Sequence, residues 1–173
     1  RRALMDWAQE GERYIIEDDY DSEFRFASRP IPALRDLDRE GRVIYVNTFS
    51  RSLAPGLRIG YLVLPDALMM RYRERFSLYS ATVSSFDQQT LAAFMQSGGF
   101  ERHISRSRKV YQARRDALMA AIEREFSALP HEISRSEAGL HLLLHMRNGM
   151  LERELVERAR MAGVRVYALS SYY

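Results

Sequence analysis

Apolar positions change their period several times along this chain, and each change marks an element. Leu4, Met5 and Ala8 recur at helical spacing inside "RRALMDWAQEGE", and Gly11 supplies a C-terminal stop. No capping residue precedes Arg1, so the chain is expected to begin inside a domain. "YIIE" at Tyr14–Glu17 reads as a short buried strand. "RVIYVNTF" (Arg42–Phe49) and "RIGYLVLP" (Arg58–Pro65) are two more, rich in β-branched and aromatic residues. Only Ser50–Leu57 separates them. A parallel crossover needs roughly a dozen residues or more, so this pair is expected to be antiparallel. The earlier helix-then-strand alternation points to a mainly parallel α/β sheet.

From Asp66 the period becomes helical. "DALMMRYRERFSLY" carries Leu68, Met69, Tyr72 and Phe76, and "FDQQTLAAFMQ" is a second helix, stopped by Gly98 and Gly99. A third, long helix is predicted from Phe100 to Leu129, with Ile104, Tyr111, Leu118, Ile122 and Phe126 along one side. Beyond it, "AGLHLLLHM" reads as a strand, "GMLERELVERARMAG" as an amphipathic helix and "VRVYAL" as a strand. Three stretches result: 1–100 in a larger domain, 101–128 as a linking helix, and 129–173 as a small α+β domain. Both ends of the chain are expected to be cut.

Composition narrows the chemistry. The 173 residues are 46% hydrophobic and 28% charged, with a net charge of +3, too weak a bias to imply nucleic acid by itself. There is no cysteine, which excludes disulfides, thiolate zinc sites and cysteine nucleophiles. No apolar run approaches the roughly 20 residues that span a bilayer, and no signal peptide is visible, so a soluble cytoplasmic protein is expected. Of 26 basic residues only Lys109 is a lysine, leaving one side chain able to act as a primary amine. The positives of the long helix (Arg102, Arg106, Arg108, Lys109, Arg114 and Arg115) are scattered around it and interrupted by acids, so a solvated face is expected. His141 and His145 alternate onto one strand face without an acid or cysteine nearby and are read as structural.

The candidate site begins in "EDDYDSEF", which places Glu17, Asp18, Asp19, Asp21 and Glu23 just past the first strand. Ligands of open α/β sheets sit at the carboxyl ends of strands. Three readings stand. The run is a solvated loop that caps the next element. It binds calcium, although the glycine that an EF-hand loop needs at its sixth position is missing. Or Asp18 pairs with a protonated ring nitrogen while the phenol of Tyr20 donates to a neighbouring ring oxygen, two groups that pyridoxal phosphate carries.

Two blocks, "IIEDDYDSEFRF" and "PIPALRDLDREGRVIYVNTFSRSLAPGLRIGYLVLP", closely resemble the aminotransferase-like domain of MocR-type transcription regulators of the GntR superfamily. The resemblance continues through "RSRKVYQARRDAL" and "EAGLHLLL" and covers essentially the whole chain. It implies a partial fold type I aminotransferase, α/β in class: the later part of a mixed-sheet large domain, then a small α+β domain. It implies pyridoxal 5'-phosphate as cofactor, with Asp18 at the pyridine nitrogen and Tyr20 at the phenolic oxygen. Arg58 would clamp the phosphate through paired charge-assisted hydrogen bonds, with Thr48 and Ser50 adding hydroxyl donors. It also implies a homodimer, DNA contacted through a winged-helix domain absent from this chain, and a small amino compound as effector or substrate.

One position departs from the pattern. Where the family reads Ser-Lys-Thr, this chain reads Ser50-Arg51-Ser52. The family's Schiff-base lysine is replaced by Arg51, whose guanidinium stays protonated and cannot attack a carbonyl. Lys109, on the long helix, is not an evident substitute. Two functions remain open: a ligand-sensing module of a transcription regulator, or part of a working class I/II aminotransferase acting on an amino acid. Arg51 argues against turnover in either.

Overall fold

A computed structural model describes residues 1–26, 31–134 and 137–172. Pro30 of the second resembling block and the terminal Tyr173 lie outside the described residues. The chain separates into two compact units, one of residues 1–112 with 137–140, the other of residues 113–136 with 141–173.

In the first unit, α1 (Arg2–Glu10) lays Ala8 into a core with Ile15 and Val43, and Met5 and Leu34 pack against it. Leu4 stays 42% exposed despite its spacing. The helix stops at Gly11, as expected, but Gly11 is not in the left-handed region; that turn falls on Glu12, at φ 51°. The Arg13 guanidinium lies over Gly11 on its way to stack on Trp7, 4.7 Å from the ring centroid, and a Cβ on Gly11 would meet it at 2.1 Å. What that Cβ would displace is the far end of a flexible, exposed side chain, which can shift at little cost.

Three strands form one sheet in the order β1-β2-β3: β1 (Ile15–Asp18), β2 (Val43–Thr48) and β3 (Gly60–Val63). β1 and β2 run parallel, and β2 and β3 antiparallel, the pairing that the short Ser50–Leu57 connection demanded. β1 is shifted by one residue from the Tyr14–Glu17 run, and β2 and β3 are shorter than the runs that announce them. β3 cannot start at Arg58 because Arg58 sits in the left-handed region, at φ 50° and ψ 31°. The main chain entering β2 is clasped by Asp38, whose carboxylate accepts the N–H groups of Glu40, Arg42 and Val43 at 3.2, 2.8 and 2.7 Å.

Helices then follow: α2 (Phe49–Ser52), α3 (Asp66–Phe76), α4 (Ser85–Gln96) and α5 (Gly99–Glu125). Ser84 caps α4 reciprocally with Asp87. Its Oγ accepts the Asp87 N–H at 3.1 Å and donates to the Asp87 carboxylate at 2.7 Å. Ser84→Ala should therefore cost about 1 kcal/mol, read as a lowered unfolding midpoint of the full-length protein; an unchanged midpoint would show the cap to be idle. The first half of α5 is not a uniformly solvated basic face. Ile104 is buried, Tyr111 meets Phe24 edge-on at 5.2 Å, and between them Arg108 donates from both Nε and Nη2 to the Glu23 carbonyl at 2.9 and 2.7 Å.

In the second unit, the end of α5 is followed by β4 (His131–Ser134) and β5 (Leu143–Met146), an antiparallel pair, and by α6 (Glu152–Met161). β4 was not anticipated: "HEIS" has no apolar run, and its partner calls it into a strand. Val164–Leu169, expected as a strand, is not one. Among the described residues no strand pairs with it, and the N–H groups of Leu169 and Ser170 go to the Glu152 carboxylate, which also accepts the Ser170 hydroxyl. A short 3-10 helix, Leu169–Tyr172, follows. Expected strand residues 138–142 likewise fall outside β5; Ala138 belongs to the first unit and bridges to Arg25 within it. Among the described residues no helix is long and apolar enough to cross a membrane.

Candidate functional site

Because β1 and β2 are parallel and β3 runs back, the carboxyl ends of β1 and β2 and the start of β3 share one end of the sheet. Asp18 is level with Val46, and Thr48 with Gly60. Alternation sends Asp18, Val46 and Thr48 to one face and Glu17, Tyr45 and Asn47 to the other. Asp18 is exposed, and its carboxylate has no partner among the described residues. It shares with Thr48 and Gly60 the lining of a groove of about 840 Å³, walled on the other side by Met69, Tyr72 and Phe76.

The other sequence-predicted residues stand at the same end. Arg51, on α2, is exposed and holds its guanidinium carbon 5.8 Å from the centroid of the Tyr20 ring. That distance is within cation–π range. Thr48 caps the turn into α2: its hydroxyl accepts the Ser50 N–H and donates to the Ile59 carbonyl, both at 3.1 Å. Its one hydroxyl proton is thus committed to the loop between β2 and β3. Ser50 is half-buried on α2. Arg58 follows the 3-10 turn Pro55–Leu57; it is exposed, and its left-handed backbone is uncommon for a non-glycine residue, a conformation that costs on the order of 1 kcal/mol. One strand separates Asp18 from the start of β3, roughly 10 Å at ordinary strand spacing. Asp18 and Thr48 therefore meet in the groove and Arg51 meets Tyr20, while neither Ser50 nor Arg58 has a side-chain hydrogen bond or ion pair to any of these four among the described residues.

The acidic run, uniform in the sequence, is divided by the pleat. Glu17 turns to the opposite face and accepts the N–H groups of Leu34 and Arg35 at 2.6 and 3.0 Å, the capping role that the bland reading assigns to this loop. Asp19 accepts the Tyr45 hydroxyl at 2.8 Å and the Ser22 hydroxyl at 2.9 Å. Asn47, 4% exposed, donates to Tyr45 Oη at 2.9 Å. Burial, together with Asp19 as acceptor and neighbouring negative charge, outweighs the Asn47 donor and pushes the Tyr45 phenol well above its ordinary value. Burial likewise raises Tyr61. It raises Glu23 too, assisted by the negative charge of Asp19 and Asp21, with the main-chain N–H and Asn47 offsetting only part. Tyr45, Asn47 and Tyr61 are polar groups that sequence patterning did not single out, whereas Glu23 was already part of the acidic run. Tyr45 and Asn47 carried one available signal, since the period of two along β2 sets both on the face of buried Val43.

The sequence profile of the family described as Aminotransferase class I and II matches residues 2–172. The chain belongs to this family. Among relatives, it is 44% identical to an uncharacterized HTH-type transcriptional regulator, YdeL of Bacillus subtilis, over all of this chain and 37% of that protein. It is 35% identical to the probable rhizopine catabolism regulatory protein MocR of Rhizobium meliloti, over all of this chain and 35% of that protein. Among solved structures, the kynurenine aminotransferase of Pyrococcus horikoshii superposes with a TM-score of 0.81 at 32% identity, over 95% of this chain and 40% of that enzyme. The chain thus spans well under half the length of these proteins and carries part of the fold type I aminotransferase architecture. Its resemblance to MocR-type regulators, read from the motifs, agrees with these relatives.

Proposed function

We propose that this aminotransferase-family chain is part of the effector-sensing domain of a MocR/GntR-type transcription regulator, one that holds pyridoxal phosphate without a covalent bond. The observation that carries the reading is the Arg51 guanidinium 5.8 Å from the Tyr20 ring centroid, at the position where the resemblance implies the family's lysine. The residues at this end of the sheet fit the cofactor in kind. Asp18 presents an unpartnered carboxylate, Tyr20 a phenol two residues on, and Arg58 an exposed guanidinium whose strained backbone suits a functional position. When bound, pyridoxal phosphate supplies an electron-withdrawing pyridinium ring and an aldehyde that reacts with amines.

In this reading Asp18 keeps the ring nitrogen protonated, Tyr20 donates to the ring oxygen, and Arg58 binds the phosphate, with Ser50 as an additional donor. Thr48 acts mainly by shaping the turn, because its proton goes to Ile59. Arg51 retains its proton at any physiological pH and serves as a fixed cation. The full-length protein is then a cytoplasmic homodimer that reaches DNA through a winged-helix domain and responds to a small amino compound. Residues 1–100, 101–128 and 129–173 are its large-domain part, linking helix and small-domain part.

The test is borohydride reduction of the full-length protein in the presence of cofactor, followed by mass spectrometry. The protein should carry no adduct, while Arg51→Lys should gain one at residue 51 together with an absorbance band above 300 nm. An adduct at Lys109, or measurable transamination by the unaltered protein, would overturn the proposal.

A further inference from the structure

A second concavity adjoins the Asp18 groove, sharing Asn47, Ile59, Tyr61 and Gln88 with it, but does not include Asp18. It is a groove of about 460 Å³ between β2–β3 and helices α4 and α5 of the first unit. Its size is within the range of small-molecule sites, about 300–1,000 Å³. Three aromatic rings wall it: Phe49 lies 5.3 Å from Tyr61 at a tilt of 33° and 5.9 Å from Phe100, which it meets edge-on at 81°. Leu91 and Met95 of α4 add apolar surface. Into this mostly apolar lining comes the side chain of Glu23. Its Oε2 is shut off from water and has no hydrogen-bond partner.

An orphaned carboxyl oxygen in such a place is costly, of order 1–3 kcal/mol or more for a charged group, unless something completes it. Among the described residues no group reaches Oε2, and the Glu23 main-chain N–H and Asn47 relieve the carboxyl only in part. Arg108 is the nearest cation by contact, but both of its bonds go to the main-chain carbonyl of Glu23, leaving the carboxyl untouched. Asn47 has its Oδ1 on the Thr48 N–H and its Nδ2 on Tyr45. Asp19 and Asp21 add negative charge beside the carboxyl, which favours a cation there and disfavours an anion. The faces of Phe49, Tyr61 and Phe100 complete the requirement, since an aromatic face attracts an organic ammonium through its quadrupole.

We infer that the groove bounded by Glu23, Phe49, Tyr61 and Phe100 binds a small organic ammonium, one that carries at least one N–H on an apolar or aryl body. The N–H donates to Glu23 Oε2, the charge sits against the aromatic rings, and the apolar body runs along Leu91 and Met95. The site is lined by neither Asp18 nor Arg51, and its binding groups need no cofactor. It therefore stands or falls separately from the function proposed above.

The experiment is calorimetric titration of the full-length protein with N,N-dimethylphenethylamine. This tertiary amine has one N–H when protonated and cannot condense with an aldehyde. 2-Phenylethanol serves as its neutral counterpart. The amine should bind at least about tenfold more tightly than the alcohol, the discrimination expected of one charge-assisted hydrogen bond with cation–π support. Glu23→Gln, which keeps the shape and removes the charge, should abolish that preference. Ala92→Trp places bulk in the groove from an exposed position on α4 and should weaken both ligands without disturbing the core. Equal binding of amine and alcohol, full amine binding by Glu23→Gln with native circular dichroism, or retention of binding in Ala92→Trp would each overturn the proposal, as would no heat of binding at millimolar amine.

Discussion

Phe24→Ala should lower the stability of the full-length protein by about 3–5 kcal/mol, the range for removing a buried phenylalanine. Phe24 is 1% exposed and among the largest fully buried side chains of the described residues. It meets Tyr111 edge-on, a geometry that contributes about 0.5–1.5 kcal/mol beyond the area buried. Its main chain is tied on both sides: the N–H donates to the Asp21 carbonyl at 3.0 Å and the carbonyl accepts from Gly139 at 2.8 Å. Truncation would leave a cavity between the acidic loop and α5, with the Arg108 clamp on the preceding carbonyl as the remaining link. The loop from Asp18 to Glu23 carries both the candidate cofactor residues and the carboxyl of the second groove. Ligand binding should weaken together with the unfolding midpoint. A midpoint within 1 kcal/mol of the unaltered protein would show that the loop is held elsewhere. Phe24→Leu, which keeps most of the volume, should recover the greater part of the loss.

Asp38→Ala should cost about 2–3 kcal/mol at neutral pH, and Asp38→Asn somewhat less. The Asp38 side chain has no exposed surface and accepts three main-chain N–H groups at the entry to β2; Arg35 Nη1 lies 3.9 Å away. Burial alone would raise its pKa. The donors of Arg42, Val43 and Glu40, with the charge of Arg35, outweigh that and hold it below its ordinary value of 3.8. A carboxyl with a depressed folded pKa contributes stability that is present above the unfolded value and lost as pH falls through the folded one. The gap between the unaltered protein and Asp38→Asn should therefore be full at neutral pH and shrink only below about pH 4. A gap that is constant down to pH 3 would mean that the charge plays no part. Glu23 carries the opposite sign. Its raised folded pKa makes the ionised form a burden that grows as pH rises above 4.5, so Glu23→Gln should be neutral to stabilising near pH 7.

Much of the architecture was already local in the sequence. The β-branched and aromatic runs around Val43 and Tyr61, only a few residues apart, specify an antiparallel pair because no parallel crossover fits the connection. Ser84 with Asp87 specifies a helix start because the cap needs only residues three apart. That Arg51 is a permanently protonated guanidinium follows from the identity of one side chain, which no fold alters. Other features needed the tertiary structure. The acidic run reads as one patch until the pleat turns Asp18 to one face and Glu17 to the other, a consequence of register with β2. Arg108 reads as a solvated charge until the carbonyl of Glu23, 85 residues earlier, comes within 2.7 Å of it. Val164–Leu169 has every local mark of a strand and is not one. A strand exists only through a partner, and β4–β5 supplies none, while Glu152 takes the N–H groups of Leu169 and Ser170. Local preference sets what a segment can do. Which hydrogen-bond partner it meets is decided by chain far away in the sequence, and there the pattern of residues falls silent.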